Sequence, residues 1–216
     1  MGELTRHLRR CDALGSLTVA QIDRLRENCR IRKYPRDASV YLPQDESRFV
    51  LLLVTGRAKL SHITVAGKHS ILFFLQPGEL FGEMAVCDSG ERDEYCETIS
   101  DSTIITIPSA DLRQLMRENP DLSLEMTSLI GRRRRYVERR LKSVLFSTTR
   151  QKLSRILLDL ASDYGEPAAT NSDNGFTAAA IRLTVPLSHH ELGNLIGATR
   201  ETVTITLGRL RKEDLI

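Results

Sequence analysis

No run of apolar residues approaches the ~18 positions that a membrane-spanning helix needs, and the N-terminal stretch MGELTRHLRRCDALG lacks the apolar segment of a secretory signal. A cytoplasmic protein that does not engage membranes is expected. Cysteine is sparse: Cys11, Cys29, Cys87 and Cys96 form no C-x-x-C pair and no ordered spacing. A zinc site or an iron–sulfur cluster therefore has no support, and structural thiols are the default. The β-rich region lacks clustered histidine too. His62 and His69 stand apart, with no H-x-H pair and no partnered Glu, so the metal-dependent catalysis that small β-barrels can house lacks a ligand set, and no enzyme is expected. Strong charge of one sign is absent overall, at a formal +3, but residues 131–155 concentrate Arg132, Arg133, Arg134, Arg135, Arg139, Arg140, Lys142, Arg150, Lys152 and Arg155 around the acid Glu138. Such a run suits either a polyanion near the C-terminal half or a solvated helix face.

At 216 residues, 41% hydrophobic and 27% charged, the chain is neither disordered nor fibrous, and it is long enough to bury a core without disulfides or metals. Residues 1–30 read as short helices, with Ile22 and Leu25 on one side of QIDRLREN. From about Ile31 the pattern turns to short β-rich runs, ASVYLP, RFVLLLV, RAKLSHITV and HSILFFL, then YCETIS and STIITIP. Turn residues separate them, among them Pro43 to Ser47, Gly56, Ala66 to Lys68 and Pro77–Gly78. Strands so spaced predict a barrel or sandwich. Helical spacing returns over Ser109 to Glu118.

After Asn119–Pro120 comes a long helical stretch in which Leu122, Met126, Leu129, Ile130, Val137, Leu141, Val144 and Leu145 form an apolar seam. About 25 residues of helix extend roughly 38 Å, more than a small domain needs, so the seam predicts a parallel dimer with Met126, Leu129, Ile130, Val137, Leu141 and Val144 at the interface. RQKLSRILLDLASDYG predicts another helix, EPAATNSDNGFTAAA a loop and IRLTVP a strand.

The last thirty residues predict a helix, a tight turn and a second helix. Ser188 and Glu191 make a capping box, Leu192, Leu195 and Ile196 face inward, and Gly197 ends the first helix. Thr199 caps the second, in which Val203, Leu207 and Leu210 form a buried stripe. Its other face presents Arg200, Glu201, Thr204, Ile205 and Arg209. Arg can fork onto guanine, Glu can accept from the cytosine amino group, and Thr or Ile can pack on a thymine methyl. Double-stranded DNA is the implied partner, through a helix laid in the major groove.

A β-roll, a long helix and a helix-turn-helix, in that order, resemble the bacterial transcription regulators of the cyclic-AMP receptor protein and fumarate–nitrate regulator family. The resemblance rests on PGELFGEMAV followed by Arg92, on NPDLSLEM, and on LSHHELGNLIGATRETV. It implies an α+β fold: a jelly-roll-like effector domain over 1–118, a dimerisation helix over 119–146 and a winged helix-turn-helix domain over 147–216. The sequence stops at Ile216, where the family adds its wing, so an absent or truncated wing is expected. A homodimer is expected to bind a palindromic site, and RNA polymerase is an implied partner.

The resemblance also implies that Phe81, Gly82, Glu83 and Met84 open a short helix whose amides cradle an anionic effector. Arg92 matches the phosphate-binding arginine of cyclic-nucleotide binders, but Asp93 and Glu94 follow it, and carboxylates there would repel a phosphate. A closer likeness is to the cyanobacterial nitrogen-regulator branch, which senses 2-oxoglutarate; it implies Arg133 and Glu138 as effector residues, with Glu138 holding Arg133 toward the pocket. The favoured effector is 2-oxoglutarate, with a cyclic nucleotide, an effector-free regulator and a haem gas sensor using His62, His69 or Cys87 as alternatives. No fixed cofactor or metal is expected.

Overall fold

The computed structural model describes residues 2–63, 69–88, 90–168, 180–185 and 187–216, apart from the side chains at positions 69, 144 and 163. The turn expected at Ala66 to Lys68, the middle of the loop expected over 166–180 and the Val144 side chain lie outside the described residues. Internal contacts divide the chain into two compact units, Met1–Val137 and Glu138–Ile216.

The first unit begins with α1 (Glu3–Arg9), a 3-10 turn at Asp12–Leu14 and α2 (Val19–Asn28). Thr18 starts α2: its hydroxyl accepts from the Gln21 amide at 3.3 Å, and the Gln21 side chain accepts from the Thr18 amide at 3.0 Å. Eight strands follow: β1 (Arg30–Tyr34), β2 (Ser39–Tyr41), β3 (Phe49–Thr55), β4 (Ala58–Ile63), β5 (His69–Leu75), β6 (Leu80–Phe81), β7 (Tyr95–Thr98) and β8 (Ser102–Pro108). They form two antiparallel four-stranded sheets, ordered β1-β8-β3-β6 and β2-β7-β4-β5. The expected sandwich is present, with two strands the sequence did not announce. β1 is an edge strand whose Arg30, Ile31, Arg32 and Lys33 are all exposed, so it shows no alternation; the charges there discourage pairing with another chain. β6 is only two residues long.

The central strands are buried on both faces. Val50 and Leu52 of β3 join Ile105 and Ile107 of β8 under the helices, packed with Leu8, Leu14, Ile22 and Leu25. Leu51 and Leu53 turn the other way, onto Tyr41, Leu60, Leu75, Phe81, Cys96 and Ile104. This is why RFVLLLV reads as a continuous apolar run.

α3 (Ser109–Glu118) and α4 (Pro120–Phe146) complete the unit's helical layer. Asn119 Oδ1 accepts from the amides of Asp121 at 3.1 Å and Leu122 at 3.3 Å, and Pro120 supplies a first helical position that needs no donor. The α4 seam does not behave as one surface. Leu122 and Met126 are fully buried in their own chain's core, with Leu112 and Leu115, and Leu129 packs partly against them. Met126 is thus a correction: the helical layer of its own unit covers it, not a second copy. Ile130 is half-buried, while Val137, Leu141 and Leu145 stand 47%, 56% and 63% exposed.

In the second unit α5 (Thr149–Tyr164) begins with another capping box, Thr148 with Gln151. β9 (Gly165–Pro167) pairs antiparallel with β10 (Ile181–Leu183), so the chain expected to loop from Glu166 first makes a strand. α6 (His189–Ile196) and α7 (Arg200–Lys212) follow. Leu153, Ile156, Leu160, Val185, Leu192, Leu195, Ile196, Val203 and Leu210 are buried in this unit. Among the described residues no strand follows α7.

Three of the thiols are interior. Burial pushes Cys11 up to about 11 and Cys29 up to about 12 from an ordinary value of 9.0, and Cys96 higher again, whereas Cys87 is exposed and shifts up less. A thiol reagent at pH 8 is expected to modify Cys87 in the native protein and the other cysteines only on unfolding; mass spectrometry reads the sites directly. Since the folded pKa values are raised, stability should be undiminished by these groups below pH ~9 and should fall as pH rises toward 11 and 12.

Candidate nucleic-acid interface and effector site

The second unit builds the reading face from local signals. Ser188 Oγ accepts from the Glu191 amide at 3.2 Å while Glu191 Oε2 accepts from the Ser188 amide at 2.9 Å, so α6 begins where the capping box predicts. Gly197 ends it at φ 69°, ψ 38°, the left-handed geometry that favours glycine. Arg140 Nη2 donates to the Leu195 carbonyl at 2.5 Å, placing a cation on an otherwise orphaned carbonyl of the last turn. The turn then passes close over α6: the Ala198 amide donates to the Gly193 carbonyl at 3.0 Å, and a Cβ on Gly193 would sit 2.6 Å from the Ala198 carbonyl oxygen.

Thr199 caps α7 by accepting from the Thr202 amide at 3.2 Å. The buried stripe is Val203, Thr206 and Leu210; Leu207 is only half-buried. A polar Thr206 is tolerated because its hydroxyl donates to the Thr202 carbonyl at 2.7 Å. Arg200, Glu201, Thr204, Ile205 and Arg209 are all exposed, as expected of a face kept for a partner. The Glu201 carboxyl is held below the usual carboxylate range, first by its own backbone amide and then by the Thr199 hydroxyl, with Arg200 and His190 adding charge. It is an anionic acceptor at the start of α7.

Most of the basic run is exposed, and some of its cations are paired. Arg150 forks onto Glu213 at 2.7 and 2.5 Å, and Arg155 pairs with Asp159 at 3.2 Å. Both pairs are solvent-exposed, and Arg155–Asp159 lies within α5, so each adds little to stability.

In the first unit β6 ends in Gly82 at φ 65°, ψ 27°, and a 3-10 turn runs from Glu83 to Val86. Gly82 is required twice over, since a Cβ would strain the backbone and run into the Arg92 guanidinium. Arg92 is 6% exposed: it donates to the Gly82 carbonyl at 3.1 Å and to the Phe49 carbonyl, and its guanidinium lies 4.6 Å from the Tyr41 ring centroid. Burial first, then Cys96 and Glu94, pushes the Tyr41 phenol well above its ordinary value, and the phenol donates to Glu94 at 2.7 Å. Arg133 pairs with the buried Glu83 carboxylate, donates to the Leu80 carbonyl at 2.6 Å and lies 5.7 Å from the Phe73 ring centroid. Phe73 in turn packs on Tyr136 at 5.0 Å.

The expected effector residues therefore divide. Gly82, Glu83, Arg92 and Arg133 are brought together around the turn, and Met84 is half exposed beside it. The Phe81 ring is fully buried between the sheets, so what Phe81 can offer the turn is its backbone. The Arg133 guanidinium pairs with Glu83, a partner that the sequence reading did not give it. Tyr41, Phe49 and Phe73 were missed; their contacts with the arginines are long-range, and no local spacing signals them. Of the alternative ligands, His62 has Nδ1 3.3 Å from the Asp93 carbonyl, and the His69 side chain is outside the described residues. Among the described residues no three His, Cys, Asp or Glu side chains are grouped to hold a metal ion.

Comparison with known proteins fits this arrangement. The family profile "Cyclic nucleotide-binding domain" matches residues 31–119, and "Crp-like helix-turn-helix domain" matches residues 151–216. The Synechocystis global nitrogen regulator is 27% identical over 188 residues, covering 86% of this chain and 80% of that protein. A CRP-like cAMP-activated global transcriptional regulator of Mycobacterium tuberculosis is 25% identical, covering 81% and 74%. The solved structure of the c-di-GMP-responsive global regulator CLP of Xanthomonas campestris shares the fold, with a TM-score of 0.74 at 22% identity over 92% of this chain and 94% of that one. These regulators are built from a cyclic-nucleotide-binding-type sheet domain and a DNA-binding helix-turn-helix. The chain belongs to that family, the transcription regulators related to the cyclic-AMP receptor protein and the fumarate–nitrate regulator.

The close approach over Gly193 gives a direct test. Gly193→Val places branched carbon against the Ala198 carbonyl and should destabilise the C-terminal unit by about 1–3 kcal/mol, with DNA binding lost in parallel. Thermal melts and gel shifts on the same preparation check it; an unchanged melting temperature would show that the turn has slack.

Proposed function

We propose that the protein is a cytoplasmic homodimer that binds a two-fold symmetric DNA site under control of a small dicarboxylate such as 2-oxoglutarate. The observation that carries the effector reading is the buried Arg133–Glu83 pair: a guanidinium from α4 already holds a carboxylate at the turn after β6. An incoming carboxylate of the right length can exchange with Glu83 on the same planar fork. Exchange alters what ties α4 to the sensor domain, which supplies the differential binding that gating requires. A cyclic phosphate suits the site less, because Arg92 is spent on two carbonyls while Asp93 and Glu94 bring carboxylates beside it. RNA polymerase is the further partner that a regulator of this family implies.

A second reading, a regulator active without any effector, is favoured by one observation: both guanidiniums already have partners inside the chain. Calorimetry separates the two. With 2-oxoglutarate, Arg133→Lys, which keeps the charge and loses the fork, should weaken binding by about 1.5–3 kcal/mol. Glu83→Gln, which removes the competing carboxylate, should tighten it by roughly tenfold. Absence of heat in the wild type and both variants leaves the effector-independent reading, and saturable binding of cyclic AMP instead would replace the dicarboxylate.

The exposed Val137, Leu141 and Leu145 support a dimer through the C-terminal half of α4. Leu141→Arg puts an unpaired charge where a desolvated contact is proposed. Sedimentation at micromolar concentration should show monomer; a variant that stays dimeric would move the interface elsewhere.

A further inference from the structure

We infer that His189 is a positioning residue that decides which base the reading helix selects, because its ring fixes what Thr204 presents to DNA. This rests on the assignment of α7 as the reading helix. His189 opens α6 and Thr204 lies on the exposed face of α7, fifteen positions later, yet the imidazole Nδ1 is 2.8 Å from the Thr204 hydroxyl oxygen. The same hydroxyl donates its proton to the Arg200 carbonyl at 2.9 Å. A hydroxyl has one proton, so toward His189 its oxygen accepts, and Nδ1 carries the hydrogen.

Two consequences follow from hydrogen-bond valence. Thr204 has no proton left for an acceptor on a base edge, such as guanine N7 or O6. With its oxygen held from two directions the side chain is confined to one staggered rotamer, and the γ-methyl is its remaining apolar feature on the exposed face. Thr204 therefore reads by methyl contact, which favours the 5-methyl of thymine. Ile205, 58% exposed at the next position, extends the apolar part of that face. Without His189 the threonine keeps its bond to the Arg200 carbonyl but loses the second anchor, and the methyl is no longer held in one place.

The test enriches binding sites from a random duplex pool with the full-length wild type, His189→Ala, His189→Asn and Thr204→Ser, and then replaces each selected thymine singly by deoxyuridine, which lacks only the methyl. In the wild type one thymine per half-site should lose about fourfold in affinity on this replacement, the effect of one buried methyl-sized group. Thr204→Ser should abolish that sensitivity. His189→Ala should also abolish it and broaden the base preference at that position, and His189→Asn, whose amide donates from near the Nδ1 position, should restore it. The inference is overturned if His189→Ala keeps the wild-type preference and deoxyuridine sensitivity, or if it weakens binding evenly on selected and random DNA, which would make His189 a phosphate contact. A wild type that enriches no site would remove the reading-helix assignment itself, and this inference with it.

Discussion

The pairing of β3 with β8 is the constraint on which the sensor unit depends. Six registered positions from Phe49–Pro108 to Thr55–Thr103 hold the two strands side by side, and both strands bury apolar side chains on each face. One face anchors the helices and the other closes against the second sheet. β3 also bonds to β6, so the Gly82 turn is hung from the same strand, and the Phe49 carbonyl at its start receives Arg92. The position of both arginines is a consequence of where a buried strand must lie.

Three arginines in this protein donate to oxygen atoms of the backbone or of a buried carboxylate. Arg92 serves Gly82 and Phe49, Arg133 serves Leu80 and Glu83, and Arg140 serves Leu195. A buried carbonyl or carboxylate left without a donor costs about 1–3 kcal/mol or more, so these guanidiniums are structural even where they border a site. In the arginine-rich segment Arg133 and Arg140 are partly withdrawn from solvent in this way, whereas Arg132, Arg134, Arg135, Arg139 and Lys142 stay exposed.

What was legible in the sequence was what is decided locally. Ser188 with Glu191, Gly197 and Thr199 set the helix-turn-helix within a few residues of themselves, and each sits as read. The paired carbonyls of Arg92 and the Arg133 bonds to Glu83 and Leu80 span 10 to 53 positions, and no spacing rule reaches them. Periodicity found the α4 seam but says only that a face is apolar. It does not say what covers the face, which is how Met126 was assigned to a partner while its own core held it. β1 was hidden for the opposite reason, since an edge strand with four exposed positions has no alternation to detect. Thr206 displaced Leu207 from the stripe because a back-bonded hydroxyl makes threonine cheap to bury.

The approach of Ala198 to Gly193 has a consequence for how such a protein can diversify. With no room for a side chain between turn and helix, the crossing of α6 and α7 is set by backbone against backbone and is indifferent to most surface substitutions. New target sequences must then come from exchanging side chains on a frame of fixed pitch, since re-tilting the frame would require the one glycine to change. On the proposed reading, recognition is free to drift at Arg200, Glu201, Thr204, Ile205 and Arg209, whose exposed side chains add nothing to the buried stripe, while the scaffold that carries them stays the same.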